Sequence, residues 1–143
     1  MSKRAIFVSC FDSYNNRVKR FIEIFEEMGY ETMYLYADFQ HMSKCYNFNI
    51  YENSERIKVV PYKKNLSAKS LYSHYLFSKE FIKYIETYHT DFIYSMIPPN
   101  SLVKRIGLYR QKHMDTRLVF DIYDMWPESF PYSRYCKWLH IPF

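Results

Sequence analysis

The residues best placed to do chemistry lie close together: Asp121, Tyr123, Asp124, Trp126 and Glu128, within the run Arg117-Leu118-Val119-Phe120-Asp121-Ile122-Tyr123-Asp124-Met125-Trp126-Pro127-Glu128-Ser129. Carboxylates accept hydrogen bonds from hydroxyls, and an indole offers a flat face for stacking. A short apolar strand leads into this loop. Strand interiors favour Val, Phe and Ile and exclude acids, so acids at a strand's carboxyl end call for a reason. In open parallel α/β sheets that end is where ligands bind.

These residues need a scaffold. The chain has 143 residues, enough for one domain with a real core. Hydrophobic residues make up 48% and charged residues 24%, a globular composition. Arg4 to Cys10 reads as a buried parallel strand. Asn15 or Asn16 is the expected cap of a helix bearing Val18, Phe21, Ile22, Phe25 and Met28, with Glu23, Glu26 and Glu27 outward and Gly29 at its end. Strands follow at Glu31 to Tyr36, Arg56 to Val60, Asp91 to Met96 and Arg117 to Tyr123. Residues 38–54 read as a long irregular loop with room for a short strand. Helices are expected over Ser67 to Tyr88, with Leu71, Tyr75, Ile82 and Ile85 on one face, and from Ser101, carrying Leu102, Ile106, Tyr109 and Arg110. Such alternation implies right-handed βαβ units and a doubly wound, Rossmann-like parallel sheet, an α/β fold.

Only Gly29 and Gly107 occur, which excludes a Gly-rich phosphate loop and a dinucleotide fingerprint. Cys10, Cys45 and Cys136 form an odd set without paired spacing, as expected of free thiols in a reducing compartment. Cys10 at a strand end has no recognisable catalytic partner and reads as a buried inert thiol. No apolar stretch approaches the ~20 residues of a membrane helix. The apolar start lacks a small-residue cleavage site and reads as a strand, so a cytoplasmic location is expected. The net charge is +5 and the pI about 9.0. Basic residues alternate with acids, and Lys63-Lys64 and Lys104-Arg105 are the densest pairs, so a solvated surface is expected and nucleic acid is not the expected partner. His41, His74, His89, His113 and His140 are scattered without ligand spacing.

The first strand with its loop, the phrase Glu26-Glu27-Met28-Gly29-Tyr30-Glu31, the strand Asp91-Phe92-Ile93-Tyr94 and the run Asp121 to Ser129 together resemble the N-terminal half of a bacterial family-4-like GT-B glycosyltransferase of polysaccharide biosynthesis. The last run is similar to that family's D-x-x-D-x-W-P-E-S phrase. The resemblance spans almost all of residues 1–143 and implies a single acceptor-binding domain, with a second, donor-binding domain as its missing partner. It implies transfer of a sugar from a nucleotide-sugar to a lipid-linked or growing glycan acceptor, with no cofactor and no bound metal. Asp124 and Glu128 are then the catalytic candidates. Asp12, Arg17, Asn100, Tyr123 and Trp126 are the substrate-binding candidates.

The first loop, Phe11 to Arg17, departs from the family in lacking paired glycines, and Arg17 or the helix start would meet a phosphate instead. Tyr123 stands where the family often carries a histidine. Each site also has a plainer role: Trp126 packing under its loop, Glu128 capping a helix or pairing with Arg134, Asn100 or Ser101 capping a helix. Asp121 is expected to hold loop amides. The aromatic, basic run Phe130 to Phe143 suggests that the natural protein continues, and its Lys137-Trp138 suits peripheral contact with a membrane's inner face as well as docking on the missing domain. The alternative is a non-enzymatic flavodoxin-like module for a protein partner or an anionic surface.

Overall fold

The computed structural model describes residues 3–48 and 51–124. Glu128 and Trp126, like Arg134, Cys136 and the run from Phe130, lie outside the described residues.

Five strands, β1 (Arg4–Ser9), β2 (Glu31–Ala37), β3 (Ser54–Ile57), β4 (Phe92–Ile97) and β5 (Arg117–Ile122), form one sheet in the order β3-β2-β1-β4-β5. Every pairing is parallel, as the continuous apolar runs predicted. Helix α1 (Asn15–Glu27) covers one face, and α2 (Ala68–Thr87) and α3 (Asn100–Lys112) cover the other. The fold is therefore the expected doubly wound, Rossmann-like α/β arrangement. Successive β1 residues point to opposite faces. Ala5 and Phe7 pack toward α1 with Val18, Tyr34 and Tyr94. Ile6 and Val8 pack toward α2 and α3 with Phe77, Phe81, Ile93 and Ile106.

The α1 layer is built from aromatic rings. Phe7 meets Phe25 edge-on at 5.4 Å, and Phe21 lies 4.9 Å from Tyr94. Tyr30, Tyr34, Tyr36, Tyr51 and Tyr94 help fill the layer with rings, and buried hydroxyls find partners. Tyr34 donates to Asn15 Oδ1 at 2.6 Å, and Asn15 Nδ2 donates to the Tyr51 hydroxyl at 2.9 Å. Asn15 is thus spent on tyrosines and is the helix's first residue, not its cap; a short 3-10 turn at Asp12–Tyr14 leads into α1 instead. Gly29 ends the helix at φ +82°, the left-handed conformation that glycine adopts without strain. Met28, expected on the buried face, is exposed because the chain has already left the helix there.

Ser67 caps α2, its hydroxyl accepting from the Ser70 amide at 3.1 Å. The buried face of α2 matches the expected apolar stripe at Ile82 and Ile85 but not in its first half. Leu71 and Tyr75 are exposed, and Ser70, Ser73, Phe77, Ser78, Phe81 and Ile85 are buried. Small serines let α3 approach: Ser78 Oγ lies 3.0 Å from Ser101 Oγ and also bonds back to the Tyr75 carbonyl at 2.9 Å. A serine that satisfies its hydroxyl within its own helix costs little to bury. Strand β3 starts two residues earlier than expected and ends at Ile57, while Val59 packs on the core beyond it. Residues 38–48 carry a single antiparallel bridge, Phe39 to Tyr46.

Candidate functional site

The chain order reverses between β1 and β4, so the loops leaving their carboxyl ends diverge and open a crevice. A cleft of about 450 Å³ lies there, on the α2 and α3 side. Asn100 and Asp124 line it together, with Phe11, His41, His74 and Tyr75. Pro98 and Pro99, which also line it, carry the chain from β4 into α3. Pro99 is the cap residue of α3 and makes no side-chain cap bond. Ser101 therefore does not cap the helix. Its hydroxyl is tied to α2 through Ser78 Oγ. Asn100, the first residue of α3, borders the cleft.

Asp124 lies two residues past the end of β5. The Tyr123 amide donates to the Ile97 carbonyl at 3.1 Å, so the β4–β5 pairing runs one residue past the strand and holds the loop beside β4. The Tyr123 side chain is exposed. Asp12 fixes a neighbouring wall: its Oδ1 accepts the His41 amide at 2.9 Å, tying the β1 loop to the β2 loop.

Arg17 and Asp121 meet on the other face. Asp121 pairs in register with Met96, whose side chain packs toward α1. Its carboxylate accordingly points that way, and Arg17 Nε lies 2.7 Å from it. Tyr94 donates its hydroxyl to the same carboxylate. Asp121 thus binds two side chains and not the loop amides expected of it. Burial first, and then the bond to Asp121, raise the Tyr94 phenol well above its ordinary range. Of the substrate-binding candidates, the structure brings Asn100 to the cleft with Asp124, sets Asp12 behind one wall, and places Arg17 in an ion pair on the α1 side.

The group that the sequence did not single out is His41, Tyr62 and His74. The Tyr62 hydroxyl sits between two imidazoles, bonded to His41 Nδ1 and lying 3.2 Å from His74 Nε2. The Phe11 ring is 4.3 Å from the His41 ring and 5.2 Å from the His74 ring. Burial pushes both histidines down to about 4, helped by Lys44 beside His41 and by His41 and Lys44 near His74, while Asp12 opposes the shift at His41. Both rings are therefore neutral at pH 7. Lys44 donates to the His41 carbonyl and to Asn65 Oδ1. These residues come from the loops after β2 and β3 and from α2. Parallel topology sends all three segments to the carboxyl edge of the sheet, which is the one signal in the sequence that could have gathered them.

Beside this group, on the far side of Tyr62, a second cavity of about 540 Å³ is bordered by Lys44, Lys63, Lys64 and Lys69. Cys10 is buried, and burial pushes its thiol far above the ordinary range, which makes it unreactive. Among the described residues no group of three or more His, Cys, Asp or Glu side chains could hold a metal ion. No helix among the described residues is long and apolar enough to cross a membrane. Comparison with protein-family models, with curated proteins and with solved structures found no match to this chain.

Proposed function

We propose that the chain is the acceptor-side domain of a glycosyltransferase that moves a sugar from a nucleotide-sugar donor to a glycan or lipid-linked acceptor. The observation that carries this reading is the cleft at the β1/β4 reversal. Its polar groups are the Asp124 carboxylate, the Asn65 and Asn100 amides, the Ser101 hydroxyl and two neutral imidazoles, set among Phe11, Leu71 and Tyr75. Mostly uncharged donors and acceptors, with one carboxylate, among aromatic rings suit a hydroxylated, uncharged ligand. Arg105 lies 4.7 Å over the Tyr75 ring and steadies that aromatic wall. In this reading Asp124 accepts hydrogen bonds from acceptor hydroxyls and orients the attacking oxygen, a contribution through positioning. Asp124→Ala is expected to weaken binding of short glycans, followed by NMR, at least tenfold. In an enzyme that carries a donor-binding domain, Asp124→Ala and Glu128→Ala are expected to lower transfer by a similar factor. Unchanged binding and unchanged transfer would overturn the assignment.

The four lysines around the second cavity favour a second reading, a binding module for an anionic surface. Salt-sensitive binding to vesicles containing anionic lipid, lost when Lys63 and Lys64 become Gln, with no glycan binding by the cleft, would favour that reading over the first.

A further inference from the structure

We propose that His41 and His74 form a matched donor–acceptor pair in the cleft wall that recognises two neighbouring hydroxyl groups of one sugar, with Tyr62 coupling the two rings so that one donates when the other accepts. The inference rests on reading the cleft as a glycan site.

The argument starts from proton counting. A phenol has one proton, so the Tyr62 hydroxyl can donate to only one of its two imidazole neighbours. The nearby buried Ser70 Oγ makes no hydrogen bond, so that proton goes to one imidazole and the hydroxyl accepts from the other. A neutral imidazole carries one N–H and one bare nitrogen. If Tyr62 donates to His41 Nδ1, then His41 carries its proton on Nε2, and His74 uses its Nε2 proton to donate to Tyr62. The outer nitrogens are then a donor, His41 Nε2, and an acceptor, His74 Nδ1. If the proton pattern reverses, the two outer roles exchange together. In both arrangements the pair offers one donor and one acceptor. Among the described residues no hydrogen bond occupies either outer nitrogen.

The rest of the geometry fits this use. Both histidines line the cleft, and their ring centres are 5.9 Å apart, so both rings border the space that one small ligand would occupy. Phe11 packs against both rings, and the Asp12 carboxylate holds the His41 backbone, so neither ring turns freely. Adjacent sugar hydroxyls supply one proton to the bare nitrogen and one lone pair to the N–H. A site built this way discriminates strongly against an analogue lacking either hydroxyl, because a half-buried polar atom would be left unpaired.

The test has two parts. Long-range 1H–15N NMR on the ligand-free, 15N-labelled chain at pH 7 reads the imidazole tautomers. Because the inner nitrogens are Nδ1 in His41 and Nε2 in His74, the expected result is the same tautomer in both rings. Opposite tautomers would place like groups on Tyr62 and overturn the proposal whatever the cleft binds. The same spectra are then followed during titration with methyl glycosides and their monodeoxy analogues. A bound glycoside is expected to shift His41 Nε2 and His74 Nδ1, loss of either of two adjacent hydroxyls is expected to weaken binding at least tenfold, and Tyr62→Phe is expected to do the same. A glycoside that binds and perturbs Asn100 and Asp124 while leaving both imidazoles unmoved would overturn this inference and leave the acceptor reading standing. Binding by none of the glycosides, with the tautomers as expected, would overturn both the acceptor reading and the proposed ligand.

Discussion

Two polar clusters sit at the carboxyl edge of the same sheet, one on each face; one is built on an ion pair and the other on neutral groups. On the α1 side, Arg17, Tyr94 and Asp121 share a carboxylate that accepts from two side chains. On the α2 side, His41, Tyr62 and His74 share a phenol and carry no net charge at pH 7. The first cluster spends its acceptor on the protein itself and ties β4, β5 and α1 together. The second keeps two ring nitrogens for something else. An acid at a strand end is thus not sufficient to mark a binding site. Asp121 and Asp124 are three residues apart, and the pleat, with the end of the strand, sends one into structure and the other into the cleft.

Removing the charge-bearing partner on the α1 side is the sharpest way to break this contrast. Asp121→Ala leaves the buried Tyr94 hydroxyl with only the weak Met96 Sδ acceptor at 3.5 Å and Arg17 without its ion. A loss of about 2 kcal/mol is expected from urea unfolding, most of it from the Tyr94 bond, since Arg17 is half exposed and its pairing is screened by solvent. An unchanged urea midpoint would mean that the cluster holds nothing.

Acid acts on the other cluster. The folded-state values of His41 and His74 lie near 4, below the ordinary 6.5, so the unfolded chain binds more protons between those values. Stability contributed by the neutral rings is complete above pH 6.5 and is lost as pH falls toward 4. Urea midpoints measured across that window should fall with acid, and His74→Gln should flatten the fall. A slope indifferent to His74 would place the histidines in ordinary solvent.

The smallest expected effect belongs to Asp124→Ala, which should change stability by less than about 0.5 kcal/mol because the carboxylate is exposed. A larger loss, close to that of Asp121→Ala, would erase the distinction between the two acids and make Asp124 structural.

The fold was legible because its signals are local. Ile6, Phe7 and Val8 spell a two-faced buried strand, Gly29 supplies the left-handed helix end, and Ser67 supplies the cap. The face of α2 was half legible: Ile82 and Ile85 pack on the core as the apolar pattern indicates, whereas Leu71 and Tyr75 are exposed and serines do the close packing with α3. The cleft was half legible. Asp124 and Asn100 follow strand ends, where topology places ligands. Arg17 was read as a phosphate contact and is engaged by Asp121, because the direction of a strand-end side chain depends on register. His41, Tyr62 and His74 are separated by 21 and 12 positions and leave no spacing to recognise.

The central position of β1 has a kinetic consequence. The Arg4 amide donates to the Asp91 carboxylate at 2.8 Å, a bond between groups 87 positions apart, and β1 pairs with β4 along that same seam. The cleft opens on the seam, so it exists only after the chain has closed one of its longest loops. Loop closure of that kind is costly before any contact rewards it, and it slows folding relative to helical domains of equal size. The cleft therefore has no early, partial form: it is complete only once the β1–β4 seam has closed.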